Sequence, residues 1–202
     1  MFYDYHVVLG GIGALLGLVG YGLYFRSIFR GITKPHLFTW FVYFLTDIIV
    51  FAAQVLKGGG PGSWVTFTGI VGTLCVSLLA LRFGEKHITV SDWISFFAAL
   101  AAIILWKATG DPLVSVIIAA VINYLALYPT FRKAYVKPEE ESVSIWTLDS
   151  VRFSFGIAGL SSLNLTTALF PSAIVTGNLL LIAMILIRRA QLRVSATIAR
   201  NE

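Results

Sequence analysis

The chain has 202 residues, of which 57% are hydrophobic and 12% are charged, and its mean hydropathy is +0.84. An ordinary soluble domain has about 25% charged residues, so this composition excludes that class and predicts an all-α integral membrane protein. The net charge of +5 does not indicate a nucleic-acid partner, because the basic residues lie beside the ends of apolar segments. The single cysteine, Cys75, excludes an intrachain disulfide.

Seven apolar segments follow one another along the chain, and seven spans of about 20 residues leave room for short loops only. We place them at 6–25, 36–56, 63–83, 90–107, 112–130, 143–164 and 169–187. The first has no basic stretch before it, so we interpret it as a span and not as a cleaved signal peptide. Its six glycines favour close helix packing, and the alternative is a backbone lining for a solute path.

The two halves of the chain match when the sequence is compared with itself at an offset of 106 positions. Phe25-Arg26 then aligns with Phe131-Arg132, and Trp40 aligns with Trp146, without a gap. This pattern predicts a duplication within one transmembrane domain. The predicted parts are repeat 1 at about 6–84, a linker helix at about 90–107 and repeat 2 at about 112–189.

Lysine and arginine concentrate at one end of the predicted spans. Twelve lie at that end and only two, Lys57 and Lys107, lie at the other. Cytoplasmic loops are enriched in these residues, so we expect the N-terminus outside and the C-terminus in the cytoplasm. Termini on opposite sides of the membrane require an odd number of spans, which favours seven.

Three ionisable side chains lie inside predicted spans: Asp47, Asp149 and Arg152. A charge at the centre of a span costs about 2.5–3.5 kcal/mol on insertion scales, so such residues usually face a protein interior or a water-filled cavity. The offset places Asp47 and Arg152 at similar depth in opposite halves. We expect both to contact a solute or a coupling proton, with Asp149 also a coupling candidate. The alternative is a structural ion pair between Asp149 and Arg152, at positions i and i+3.

Uncharged polar residues at similar depth complete the predicted binding site. Asn123 and Asn178 lie near the middle of their spans, and Tyr43 shares a helical face with Asp47 and Gln54. We expect Asn123, Asn178 and Tyr43 to donate hydrogen bonds to the solute or accept them from it.

Residue patterns of membrane proteins that perform chemistry are missing from the sequence. A retinal protein needs a lysine deep in the last span, and this chain has none there. The three histidines lie near span ends and form no cluster suited to zinc, and no buried Ser–His–Asp set is visible. We therefore predict no catalytic residues, no metal and no other cofactor.

One junction resembles a known motif. Tyr128-Pro129-Thr130-Phe131-Arg132-Lys133, followed by Glu141-Ser142-Val143-Ser144, resembles the PQ-loop motif, with Thr130 in place of glutamine. The three-one-three duplication is similar to the SWEET and PQ-loop superfamily of small-solute transporters. This resemblance implies a central pocket that includes Asn178, and Pro129 as a hinge between two conformations.

The sequence thus favours an alternating-access transporter of a small polar solute, either a sugar or an amino-acid-like molecule, with proton coupling through Asp47. The alternative is a membrane receptor or scaffold of the same fold that does not transport. The expected partners are the solute and the lipid bilayer, without nucleic acid, and association into a homo-oligomer stays open.

Overall fold

A computed structural model describes residues 4–35, 37–84, 90–141 and 143–201, apart from some side chains in the fourth and fifth helices and the last turns of the seventh. The described residues form helices and short connections. The helices are α1 (Tyr5–Phe29), α2 (Leu37–Leu56), α3 (Trp64–Phe83), α4 (Val90–Thr109), α5 (Pro112–Val136), α6 (Val143–Ala158) and α7 (Leu165–Asn201), with 3₁₀ turns at Gly60–Ser63 and Pro138–Glu140.

Within the described residues, four segments are long and apolar enough to cross a membrane. They are Tyr5–Phe29, Leu37–Leu56, Gly60–Phe83 and Leu165–Arg193. The described apolar part of α5, Pro112–Leu127, is shorter. The chain is therefore an all-helical protein with helices of membrane-spanning length and composition.

The sixth helix is shorter than the sequence indicates, because the chain turns before α7. The predicted span 143–164 ends at Ala158, and α7 begins at Leu165 instead of 169. Asn164 and Thr167 explain the new start. The Thr167 N–H donates to Asn164 Oδ1 at 3.1 Å, and the Asn164 N–H donates to Thr167 Oγ1 at 3.1 Å. This reciprocal pair satisfies N–H groups that a helix start leaves without partners.

The fifth helix is longer than predicted. It does not end at 130 but continues through Pro129 to Val136. A proline inside a helix removes one backbone donor, yet neighbouring segments in a membrane protein often compensate for that loss. The side chain of Pro129 lies outside the described residues, so its predicted role as a hinge stays a prediction.

The helices pack in two groups that share one arrangement. In the first group α3 contacts both α1 and α2, and in the second α7 contacts both α5 and α6. The groups meet where α1 packs against α6 and where α2 packs against α5. Helix α4 lies against α2 and α5. We call the end where α1 begins the upper end, and the opposite end the lower end.

Glycines on one face of α1 allow close contact with neighbouring helices. The face consists of Gly10, Gly13, Gly17 and Gly20. A Cβ added at Gly13 would lie 2.8 Å from the carbonyl oxygen of Arg152, whereas nothing lies within 4 Å of such an atom at Gly11 or Gly22. These contacts confirm the packing interpretation for that face.

An apolar core joins the two groups in the upper half of the bundle. It contains Val50, Ala53, Val65, Val116, Ala119, Ala120, Phe153, Phe170 and Ile174. These residues come from α2, α3, α5, α6 and α7, so they bury apolar surface between helices of both groups. Phe153 follows Arg152 directly in α6, and the core therefore borders the ionisable residues at mid-length.

Candidate functional site

Asp149 is the centre of a hydrogen-bonded network between α6 and α7. Its Oδ1 accepts from Arg152 Nε at 2.6 Å, and its Oδ2 accepts from Asn178 Nδ2 at 2.8 Å. The pair of Asp149 and Arg152 is local, at i and i+3, which confirms the ion pair that the sequence allowed. Asn178 is buried in α7. Both carboxylate oxygens of Asp149 thus have charged or polar donors.

The part of the Arg152 guanidinium group that does not contact Asp149 is enclosed by the protein. The residue is 8% exposed, and its Nη1 has no hydrogen-bond partner among the described residues. The Cζ atom lies 4.3 Å from the ring centroid of Phe153 and 5.6 Å from that of Tyr21. Both distances fit cation–π contacts. A Cβ at Gly17 would lie 3.2 Å from Nη1, so only the bare backbone of α1 fits beside it.

Asp47 has a poorer set of partners than Asp149. The residue is 7% exposed, and its Oδ2 accepts one long hydrogen bond, 3.5 Å, from Thr73 Oγ1. The same hydroxyl lies 2.8 Å from the carbonyl oxygen of Gly69, a normal hydrogen-bond distance, so it donates more strongly to Gly69 than to Asp47. Asp47 Oδ2 also packs on the backbone of Gly69, where an added Cβ would lie 2.8 Å away. Asp47 is therefore a buried acid without a strong donor.

The two acids and the arginine form one electrostatic unit. Arg152 attracts Asp47 as well as Asp149, although no direct ion pair joins it to Asp47 among the described contacts. Tyr43 lies within electrostatic reach of both carboxylates, without a hydrogen bond to either among the described contacts. Tyr21 lies within reach of all three charged groups, and its ring centroid is 5.6 Å from Arg152 Cζ. We call Tyr21, Tyr43, Asp47, Asp149, Arg152 and Asn178 the central cluster.

The charges of the central cluster do not balance when both acids are ionised. Two carboxylates face one guanidinium, which leaves a net charge of −1 by simple count. A buried uncompensated charge is costly, so a proton or another cation is favoured at the acid with fewer donors. That acid is Asp47. The cluster is thus suited to exchanging a cation while Asp149 and Arg152 remain paired.

The structure brings together five of the residues that the sequence indicated, namely Asp47, Asp149, Arg152, Asn178 and Tyr43. Asn123 is half-buried on α5, and none of the described contacts joins it to the central cluster. Its place in the predicted site stays a prediction. The buried side of α5 instead includes Ala119, Ala120 and Ile122.

Sequence reasoning missed Tyr21 and Thr73. Each follows a close-packed glycine by four positions, Tyr21 after Gly17 and Thr73 after Gly69. Residues four apart share a helical face, so a polar residue on a glycine-lined face was the available signal. Tyr21 also fills the space beside Gly72, because an added Cβ there would overlap the tyrosine ring.

A separate apolar crevice opens between α2, α3 and α4. Its volume is about 330 Å³, and its lining includes Phe41, Leu78 and Phe96 but none of the central cluster. It offers no charged or strongly polar group to a polar solute, so we do not assign the solute site to it.

The described residues contain no group of three or more His, Cys, Asp or Glu side chains arranged for a metal ion. Comparison with protein-family models, with curated proteins and with solved structures gives no match for this chain.

Proposed function

We propose that this protein is an alternating-access membrane transporter of a small polar solute, coupled to protons through Asp47. The observation that supports it best is the central cluster, in which charged side chains of the two helix groups lie within electrostatic reach of one another at mid-length. A polar cluster inside a bundle of apolar helices is costly to bury, which favours a function for it. The reaction is movement of the solute, without a catalytic step.

The packing of the helices supports a duplicated architecture for this transporter. We propose two repeats, α1–α3 and α5–α7, joined by α4, with all seven helices crossing the bilayer. In each group the third helix contacts the first two. The first helix of each group contacts the second helix of the other, as a two-fold axis requires. Parallel repeats related by such an axis occur in transporters that rock around a central site.

The central cluster defines the roles that we propose for its members. Asp47 takes up and releases the coupling proton, because it is the acid with the weakest partners. Arg152 Nη1, which is buried without a partner, and Asn178 contact the solute. Asp149 holds Arg152 in place through its 2.6 Å ion pair. Tyr43 supplies a further hydroxyl to the solute.

We propose that the organisation is that of the PQ-loop and SWEET-like superfamily, in keeping with the motif at Tyr128–Lys133 and its predicted hinge, Pro129. We also propose that the upper end faces outside, because twelve of the fourteen basic residues beside the predicted spans lie, along the sequence, at the span ends opposite the start of the first span. The C-terminus would then lie in the cytoplasm.

Counterflow in proteoliposomes tests the function. Liposomes with purified protein are loaded with a high concentration of one unlabelled sugar or amino acid, and uptake of the same labelled solute is followed. We expect transient accumulation for one solute class, enhanced by a pH gradient. Protein-free liposomes and the Arg152→Gln variant are the controls. If no solute in a broad panel shows accumulation, the transporter proposal fails and a receptor or scaffold role takes its place.

A further inference from the structure

A proline in α7 leaves one backbone carbonyl without its helical partner. Pro171 lies inside α7 and has no N–H, so the Thr167 carbonyl four residues earlier lacks the usual donor. Gln54 of α2 supplies a donor from the other helix group. Its Nε2 lies 3.0 Å from Thr167 O, and the glutamine is 1% exposed. A buried hydrogen bond therefore joins the two groups above the central cluster.

Two more hydrogen bonds join the same parts of the chain. Ser161 N–H donates to Gly59 O at 3.1 Å, and Asn164 Nδ2 donates to Lys57 O at 3.4 Å. The donors lie between α6 and α7, and the acceptors lie just after α2. With the bond from Gln54 to Thr167, three hydrogen bonds connect the groups at the upper end. We call these six residues the upper latch.

Backbone contacts between glycines close the space beneath the upper latch. A Cβ at Gly62 would lie 2.7 Å from the carbonyl carbon of Gly159, and one at Gly159 would lie 2.7 Å from the nitrogen of Gly10. Three segments from both groups thus touch without a side chain between them. The upper apolar core that includes Val65 and Phe153 continues this closed region down to the central cluster.

At the lower end, arginines of α7 hold parts of the second helix group together. Arg189 of α7 donates to the carbonyl oxygens of Pro138 at 3.0 Å and Glu141 at 2.7 Å, which holds the loop between α5 and α6. Arg188 donates in the same way to Tyr135 O at 3.1 Å. The lower ends of α5, α6 and α7 are therefore tied to one another as a unit.

From these contacts between the two groups at the upper end we infer that the upper latch is the gate on the upper side, and that the structure represents the state in which this gate is closed. Gln54 holds the two groups in position at this gate. Its side chain joins α2 to the Thr167 carbonyl, which has no helical donor because of Pro171. Opening toward the upper side requires the three hydrogen bonds and the glycine contacts to separate, while the tied lower ends of α5, α6 and α7 move as one unit. This inference rests on the proposed transport function.

A disulfide across the upper latch tests the inference. A Cβ built at Gly58 lies 3.5 Å from Ser162 Cβ, within the range of natural disulfides. Gly58→Cys and Ser162→Cys are combined in a Cys75→Ala background. We expect oxidation to abolish counterflow and a reductant to restore it. Because Gly58 has a φ of +74°, Gly58→Cys alone is the control for backbone strain, and Ser162→Cys alone is the control for oxidation. Unchanged counterflow in the cross-linked protein would overturn the gate.

A labelling measurement decides the question without transport. Thr68 is buried at mid-length beside Gly17, so Thr68→Cys reports access to the centre. A membrane-impermeant thiol reagent is added at the upper side of proteoliposomes. We expect Gln54→Leu to increase the labelling rate about three- to tenfold, because one lost buried hydrogen bond gives a change of that size. We expect the cross-link to prevent labelling.

Equal labelling rates with and without the cross-link would overturn the gate even if counterflow succeeds. If Gln54→Leu does not fold, the cross-linked and reduced proteins still provide the comparison. The opposite outcome is also possible to detect. If the cross-link prevents labelling but the protein moves no solute of the panel, the gate stands and the proposed transport function fails.

Discussion

Arg152 is neutralised by its near neighbour Asp149, not by Asp47 of the other helix group. The Nε–Oδ1 distance of 2.6 Å and the second bond from Asn178 to Asp149 make this pair a fixed structural element. Asp47 is left with one hydrogen bond of 3.5 Å. The two acids therefore differ in role, and we expect substitution of Asp149, but not of Asp47, to destabilise the protein.

Asp149→Asn should destabilise the protein by about 3 kcal/mol. It leaves the Arg152 guanidinium buried without its anion, and breaking a buried pair costs about 3–5 kcal/mol. We expect the lower part of that range because the Asp149 side chain is 29% exposed. Unfolding in detergent measures the change, with Ser154→Ala on the exposed side of α6 as the control. A loss below about 1 kcal/mol, the size of an exposed pair, would show that the pair is not structural.

Asp47→Asn should retain stability and lose proton coupling. The amide keeps the shape of the side chain and cannot ionise, so no uncompensated charge is buried at a position with only one long hydrogen bond. We expect the unfolding midpoint to be equal to or above that of the parent protein. Counterflow should persist, while stimulation of uptake by a pH gradient disappears. Full stimulation by a pH gradient in this variant would remove Asp47 from the coupling mechanism.

Gly72→Ala should destabilise the bundle, whereas Gly22→Ala should not. A Cβ at Gly72 would overlap the ring of Tyr21, and overpacking of this kind costs about 1–3 kcal/mol. At Gly22 nothing lies within 4 Å of an added Cβ, so alanine gains helix propensity of about 0.5–1 kcal/mol there. Comparison of the two unfolding midpoints gives the test. Equal midpoints would contradict the close contact between α1 and α3.

Pro171→Ala should reduce the effect of Gln54→Leu on stability. Alanine restores the N–H that Thr167 O lacks, so this carbonyl keeps a partner when Gln54 is replaced. In the parent protein Gln54→Leu leaves the carbonyl buried and unsatisfied, which costs about 1–3 kcal/mol. A double-mutant cycle measures the difference. Additive effects would mean that the proline and the glutamine act independently.

Arg189→Lys should loosen the connection between α5 and α6. The guanidinium reaches two carbonyl oxygens, those of Pro138 and Glu141, with a planar group that lysine lacks. Amide hydrogen exchange over residues 137–141 should become faster, with exchange in α3 as the internal control. Unchanged exchange in the loop would show that other contacts hold it.

Hydropathy and depth were sufficient to predict much of the central cluster. Each residue of a helix advances about 1.5 Å along the axis, so the position of a residue in an apolar segment gives its depth in the membrane. On this basis the sequence predicts Asp47 and Arg152 at the same depth. Rotation of a helix about its axis is set by packing, which composition does not reveal. For Asn123 the sequence therefore predicts a depth near the middle of α5 but not the contacts of its side chain.

Helix ends were the least predictable part of the fold. Apolar residues continue from α6 into the turn after Ala158, so hydropathy alone extended that span to Asn164. The start of α7 is marked instead by two polar residues three positions apart, Asn164 and Thr167, which cap each other. The role of Gln54 also escaped prediction, because its partner is a backbone carbonyl 113 positions away.

The glycine face of α1 has a consequence for synthesis of the protein. Its principal neighbour, α6, is made about 140 residues later, and at about 5–20 residues per second this delay is roughly 7–30 s. During that interval Gly13 and Gly17 have α3 beside them, through Val65 and Thr68, but the side of α1 that receives Arg152 has no α6 to cover it. We expect lipid tails or an insertion factor to cover that side until α6 emerges from the ribosome.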